Sequence, residues 1–134
     1  MNIGVDTNFL IQLVEGRVEP QRVWQEALEG LHQLTISALS IGEIFVYFLR
    51  RGFPENASKW LETVRQLHFI TLAQVTIPIV TRSAYLRHSF GLPTVDATIL
   101  ATFLESACDK MITGDDYFKI AEQQKILPIE FLNP

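Results

Sequence analysis

Hydrophobic spacing along the chain alternates between two periods. A β-branched run over residues 1–5 gives way to apolar residues at helical spacing, Phe9, Leu10, Leu13 and Val14, which predict a helix over residues 8–15 that Gly16 stops. Residues 34–36 read as a second short strand. Ser37 stands where an N-cap would open a helix running to Arg51 and Gly52, with Arg50 and Arg51 at its negative end. Pro54 opens a further helix that places Trp60, Leu61, Val64 and Leu67 on one face, and residues 68–72 form a third strand. A helix is expected over residues 78–90 with Gly91 as its stop, and another over residues 94–108, apolar almost all round and therefore buried. Lys110–Thr113 is a fourth strand, residues 116–124 a short helix, and residues 126–132 an edge strand at best, because Pro128 lies inside it.

Strands alternating with helices at these lengths imply a parallel sheet covered on both faces and joined by right-handed crossovers, an α/β fold. With 134 residues and no linker, repeat or low-complexity tract, the expectation is one domain over residues 1–134, with a core that needs no disulfide. The single cysteine, Cys108, permits no internal bridge, and the three histidines are too scattered for a zinc cluster, so a cytoplasmic location is expected. Asp6 sits where a secretion leader needs a basic start, and no apolar run nears the ~20 residues that span a bilayer. Eleven Lys and Arg against fifteen Asp and Glu leave a net charge of −4, which excludes a protein that coats nucleic acid by bulk positive charge.

In parallel sheets function collects outside the carboxyl ends of the strands, where the strand order reverses. Asp6 directly follows the first strand, Asp115 follows the fourth across Gly114, Asp96 enters the buried helix before it, and Glu43 lies two turns into the helix after the second strand. Each has an ordinary explanation. Asp115 or Asp116 can cap the last helix, Asp96 can favour a helix N-terminus by about 0.3–1 kcal/mol, and Ser40 with Glu43 fits the capping-box spacing. Together the four belong to elements whose near ends share one sheet edge. Carboxylates about 4–6 Å apart raise one another's pKa and oppose folding unless a cation neutralises them. An all-oxygen set suits Mg²⁺ or Mn²⁺. Asn8 and Thr113 add uncharged polar atoms beside Asp6 and Asp115, able to orient a carboxylate or to serve local turn chemistry.

The segments Val5-Asp6-Thr7-Asn8, Ser40-Ile41-Gly42-Glu43, Thr94-Val95-Asp96-Ala97 and Thr113-Gly114-Asp115-Asp116-Tyr117-Phe118 resemble, in order and spacing, the acidic motifs of PIN-domain ribonucleases. The resemblance runs over nearly the whole chain, and the size suits the VapC-type toxins of toxin–antitoxin pairs. It implies a three-layer α/β/α sandwich with a parallel sheet of four to five strands in the order 3-2-1-4-5. It also implies a Mg²⁺- or Mn²⁺-dependent endoribonuclease that leaves a 5′-phosphate and a 3′-hydroxyl. Asp6, Glu43, Asp96 and Asp115 map onto the family's catalytic, metal-binding acids, and Asn8 and Thr113 onto supporting positions. The Thr-Gly-Asp pattern selects Asp115, leaving Asp116 as a first-turn residue or an auxiliary metal ligand. The implied partners are an RNA substrate, a cognate antitoxin and a second copy of the chain as a homodimer.

Charge is unevenly distributed. Residues 63–95 contain no acidic side chain but include Arg65, His68, Arg82, Arg87 and His88. Arg82, Arg87 and His88 precede Asp96 and are candidates for contacts to RNA phosphates, the alternative being solvated residues near a helix C-terminus. Residues 41–49 carry apolar side chains on more than one helical face, which means deep burial or a surface for a partner chain. Trp24 and Trp60 read as core or groove-lining residues. Two other functions fit less well: an inactive PIN-like protein or RNA interaction module, and an Asp-based phosphotransferase of the haloacid-dehalogenase type. The latter wants a second Asp where Asn8 stands and a suitably placed lysine.

Overall fold

The structure, a computed structural model, describes residues 1–133. Its first strand, β1 (Asn2–Val5), ends at Asp6, whose side chain caps helix α1 (Thr7–Val14) by accepting the Phe9 N–H. Helix α2 (Val18–Leu28) returns to β2 (Gln33–Ser37), and Ser37 caps α3 (Ala38–Arg50) through the Leu39 N–H. Helix α4 (Pro54–Gln66) begins with Pro54, whose missing N–H needs no partner there, and leads to β3 (Ile70–Ala73). Helices α5 (Ile77–Phe90) and α6 (Thr94–Glu105) follow, separated by Gly91 in the left-handed conformation (φ 68°). Strand β4 (Lys110–Thr113), a 3₁₀ turn (Asp116–Phe118), α7 (Lys119–Gln123) and β5 (Ile129–Phe131) complete the chain.

All five strands are parallel, in the order β3-β2-β1-β4-β5 that the resemblance implies. The order reverses at β1, the central strand. Val5 pairs with Ile112, so Asp6, one residue on, stands beside Thr113. Alternate residues of the strands feed two separate cores. Ile3, Val5, Leu34, Ile36 and Ile112 pack with the apolar stripes of α1 to α4, whereas Met111 packs with α5, α6 and α7, giving three layers. On that second face Gly4 makes room for the fully buried Phe103 of α6: a Cβ at Gly4 would overlap the Phe103 ring. The Phe103 ring can therefore lie directly on β1.

The strand–helix alternation matches the hydrophobic periods, with five differences. Helix α2 was not expected, although Pro20, Val23, Trp24, Ala27 and Leu28 recur in it at helical spacing; it buries Pro20, Val23 and Ala27 and leaves Val18 and Leu28 exposed. Pro20 is tolerated in its first turn, where backbone N–H groups lack helical partners. Trp24 of this helix sets its ring edge-on to Phe69, 5.2 Å between centroids. Helix α6 stops at Glu105 rather than running to residue 108. Ala107 turns left-handed (φ 53°), and the Cys108 and Ala107 N–H groups donate back to the Phe103 and Leu104 carbonyls in a Schellman arrangement without glycine. The third strand begins at Ile70, two residues later than expected, because His68 and Phe69 lie in a turn closed by the Ile70 N–H donating to the Leu67 carbonyl. The last strand shrinks to three residues after Pro128, and the short helix before it splits into a 3₁₀ turn and α7.

Helix α3 buries Ile44 and Phe48 and leaves Val46 and Leu49 exposed, so its second apolar face is open. Gly4→Ala is expected to lower the melting temperature by several degrees, since overpacking costs about 1–3 kcal/mol. Adding Phe103→Leu should recover part of the loss. An unchanged melt in Gly4→Ala would contradict the close approach of α6 to β1.

Candidate active site

The carboxyl edge of the sheet collects acids from both layers: Asp6 and Asp115 after strands β1 and β4, Glu43 on α3, Asp96 in the first turn of α6. Asp6 is the most constrained. It is 3% exposed, with one oxygen accepting the Phe9 N–H at 2.9 Å and the other the Thr113 hydroxyl at 2.5 Å. Burial pushes its carboxyl from the ordinary 3.8 up to about 7. The Thr113 and Phe9 hydrogen bonds oppose that rise, and the charges of Asp115 and Asp96 reinforce it. Asp96, half-buried, rises to about 6 through burial and then through the charges of Asp115 and Glu43. The four expected acids therefore act on one another through space, and among the described residues none is held in an ion pair by a basic side chain.

Thr113 ties the two central strand ends together. Its buried hydroxyl donates to Asp6 and accepts the Asp115 N–H at 2.9 Å. Asp115 in turn caps the 3₁₀ turn by accepting the Tyr117 N–H at 2.9 Å. Capping thus applies to Asp6 and Asp115 and coexists with their place at the edge. Gly114 between them is required by a close approach: a Cβ there would overlap Asn8 Oδ1 and lie 2.8 Å from Gln12 Nε2. Asn8 accepts a hydrogen bond from Gln12 at 3.0 Å and so lies over the β4–Asp115 turn. Asp116 stands apart, largely in solvent and 3.4 Å from Lys119, and its charge does not figure among those raising Asp6 or Asp96.

Glu43 reaches the edge differently. The Ser40–Glu43 capping box does not form, since Ser37 caps α3. Instead the Thr7 hydroxyl donates to Glu43 Oε1 at 2.5 Å and lies 3.0 Å from Ser40 Oγ. Thr7 and Gln12 were not singled out by their chemistry in the sequence; the only signal for Thr7 is its place between Asp6 and Asn8. Beside Glu43 an open groove of about 630 Å³ is lined by Thr7, Ile11, Val46, Tyr47, Arg50 and Arg51, among others. Arg51 stacks on the Tyr47 ring, 3.6 Å from its centroid.

The basic residues divide. Helix α5 is fastened to α6 by a buried Ser83–Thr98 hydroxyl contact of 3.0 Å. Arg87 and His88 are exposed at its end and line a 470 Å³ recess with Thr94 at the start of α6, two residues from Asp96. Arg82 is engaged by Glu105 at 3.1 Å.

Among the described residues no three His, Cys, Asp or Glu side chains already converge at metal-binding distance. The donor set nonetheless fits a hard divalent cation: oxygen atoms only, four mutually repelling acids, and a deeply buried carboxylate whose two hydrogen bonds leave lone pairs over.

The PIN-domain family model matches residues 3–123. The chain belongs to the PIN-domain family. No curated protein matches its sequence. Among solved structures, this PIN domain is similar to a chain of a toxin–antitoxin complex from Klebsiella pneumoniae, with 28% identity over 87% of this chain and 90% of that one and a TM-score of 0.69. It is similar to a chain of VapBC2 from Rickettsia felis bound to a promoter DNA fragment, with 14% identity, 99% and 100% coverage and a TM-score of 0.78. It is also similar to VapC20 of Mycobacterium tuberculosis, a sarcin–ricin loop cleaving toxin, with 21% identity, 89% and 94% coverage and a TM-score of 0.68. The last two share the fold with this PIN domain.

The raised carboxyls make the metal-free PIN domain pH-sensitive. Between the ordinary value of 3.8 and the folded value near 7, native Asp6 holds a proton that the unfolded chain has released, so stability falls as pH rises through that window and levels off above it. Asp96 adds a fall of the same sign up to about pH 6. Urea denaturation in chelator is expected to show a loss on the order of a few kcal/mol between pH 4.5 and 8. The profile should be flatter in Asp6→Asn; identical profiles would show that Asp6 is not the group responsible.

Proposed function

We propose that this PIN-domain protein is a Mg²⁺- or Mn²⁺-dependent endoribonuclease and the toxin of a toxin–antitoxin pair. The observation that carries this reading is the Asp6 carboxylate, buried at the central strand end among three further acids and without a basic partner. Such a cluster destabilises the chain when ionised, and a divalent cation is the counter-charge that it lacks.

When bound, the cation supplies charge neutralisation for the scissile phosphate and activation of a water at neutral pH. Asp6, Asp96 and Asp115 would hold it, and Glu43 would engage a second cation or orient the water. Thr113 keeps the Asp6 carboxylate aimed by occupying one lone pair of one oxygen, as Phe9 N–H does for the other. Asn8 presents its amide beside the same edge, and Asp116 serves at most as an outer acid. Arg87 and His88, exposed on the acid-free side next to α6, would receive the RNA phosphates on either side of the cleaved bond. Arg82 contributes there only if it leaves Glu105.

The similarity to chains of toxin–antitoxin complexes supports an antitoxin partner. The groove beside Glu43, with exposed Val46 and the Arg50–Arg51 pair, is a surface such a partner would cover. A homodimer and a cytoplasmic location belong to the same reading. No helix among the described residues is long and apolar enough to cross a membrane.

Asp6→Asn and Asp96→Asn are each expected to reduce Mn²⁺-dependent RNA cleavage at least a hundredfold with the circular dichroism spectrum unchanged. Wild-type cleavage by Asp6→Asn overturns the reading. Wild-type protein that gains no thermal stability from Mn²⁺ and cleaves no RNA is instead an inactive interaction module. Arg87→Glu should weaken RNA binding and lower the magnitude of the salt slope by about 1; an unaltered slope removes Arg87 from the RNA contact.

A further inference from the structure

We infer that Thr7 is a positioning residue for Glu43, fixing its carboxylate at the edge of the acidic cluster through a hydroxyl that the buried Ser40 holds in place. The inference rests on the proposed metal-dependent chemistry and adds to it the group that holds the one solvent-exposed acid in place.

Glu43 is exposed on α3, and a free glutamate loses roughly 1.5–2 kcal/mol of rotamer entropy when held in one conformation. Something must restrain it if it is to act at a defined point. Thr7 Oγ1 has two neighbours, Glu43 Oε1 at 2.5 Å and Ser40 Oγ at 3.0 Å. It carries one proton. An ionised carboxylate only accepts, so that proton goes to Glu43, and Ser40 Oγ, 3.0 Å away on the acceptor side of the same hydroxyl, bounds Thr7 Oγ1 from within the protein. Ser40 is fully buried, so its hydroxyl has few other orientations open to it. The Thr7 hydroxyl is therefore held between a buried oxygen and the exposed carboxylate.

Geometry makes this a link between the two ends of the cluster. Thr7 directly follows Asp6, so its position is tied to the most constrained acid of the site. Ser40 and Glu43 are three residues apart on α3 and present the same face to Thr7. Thr7 also takes only one Glu43 oxygen, which leaves the other available for a cation or its water. Threonine suits the role better than serine would alone, because its β-branch restricts χ1 and holds the hydroxyl in one direction.

The test compares wild type, Thr7→Val, which keeps the shape and deletes the hydroxyl, Thr7→Ser, which restores it, and Ser40→Ala. Mn²⁺ binding is measured by calorimetry and by the electron paramagnetic resonance signal of free Mn²⁺. Thr7→Val is expected to weaken Mn²⁺ binding on the order of tenfold, as loss of a partner that orients a metal ligand does. Thr7→Ser should recover most of that affinity, and Ser40→Ala should lose affinity by a smaller factor. A second measurement needs no metal: in chelator, the urea midpoints of Thr7→Val, Glu43→Ala and the double variant should be non-additive. Wild-type Mn²⁺ affinity in Thr7→Val, no recovery in Thr7→Ser, or additive midpoints would each overturn the inference. Non-additive midpoints in a wild-type protein that binds no Mn²⁺ would leave the Thr7–Glu43 link standing and refute the metal-dependent function instead.

Discussion

A carboxylate has been placed where water barely reaches it, at the end of the central strand, and both of its oxygens are committed to the chain that surrounds it. Asp6 closes the first turn of α1 through Phe9 and holds β4 through Thr113. Burying an ionised group without a counter-charge costs several kcal/mol, which the protein alone meets by retaining the proton to about pH 7. Much of the surrounding geometry serves this one placement. The β1–β4 register sets Thr113 alongside, Gly114 leaves space for Asn8, and Gln12 steadies Asn8 from the next turn of α1.

Neither helical layer holds the cluster alone. Glu43 comes from α3, which packs in the core with α1, α2 and α4, whereas Asp96 comes from α6 in the opposite core. The strands between them contribute Asp6 and Asp115. The site is thus the seam along which both layers meet the carboxyl edge of the sheet, at the strand where the order reverses. Gly4 admits Phe103 beneath that edge on one side, and the Thr7–Glu43 bond joins α1 to α3 on the other.

The alternation of strands and helices was legible because each core-forming segment repeats apolar residues at the period of its own element. So were the four acids, because each follows or precedes a strand at a point where topology can be inferred. Helix α2 was less so, since Pro20 in its first turn and five charged or amide side chains interrupt the stripe of Val23, Trp24, Ala27 and Leu28. The end of α6 was hidden by Ala107, which adopts a backbone conformation that sequence patterns associate with glycine. Asp115 and Asp116, adjacent and chemically identical, differ in the sequence only by the Thr-Gly-Asp pattern of the resemblance; in the structure the turn directs one to Thr113 and Tyr117 and the other to Lys119. The partners of Arg82 and Glu43 lie on other elements, 23 residues on at Glu105 and 36 residues back at Thr7, beyond any local pattern.

Net charge, −4 over the chain, describes none of these places. Without a cation the edge repels a phosphate, because four of the fifteen acidic residues stand there, while residues 63–95 carry no acid and place Arg87 and His88 next to the first turn of α6. On the proposed reading, RNA arriving from that basic side meets the acids only after their charge has been offset. Cation and RNA phosphate then each reduce the repulsion that the other must overcome, so their binding is coupled, and by linkage the coupling is the same in both directions. On that reading a protein acidic overall engages an anionic polymer locally, where bound cations offset the charge of the edge, rather than through the bulk charge that its composition excludes.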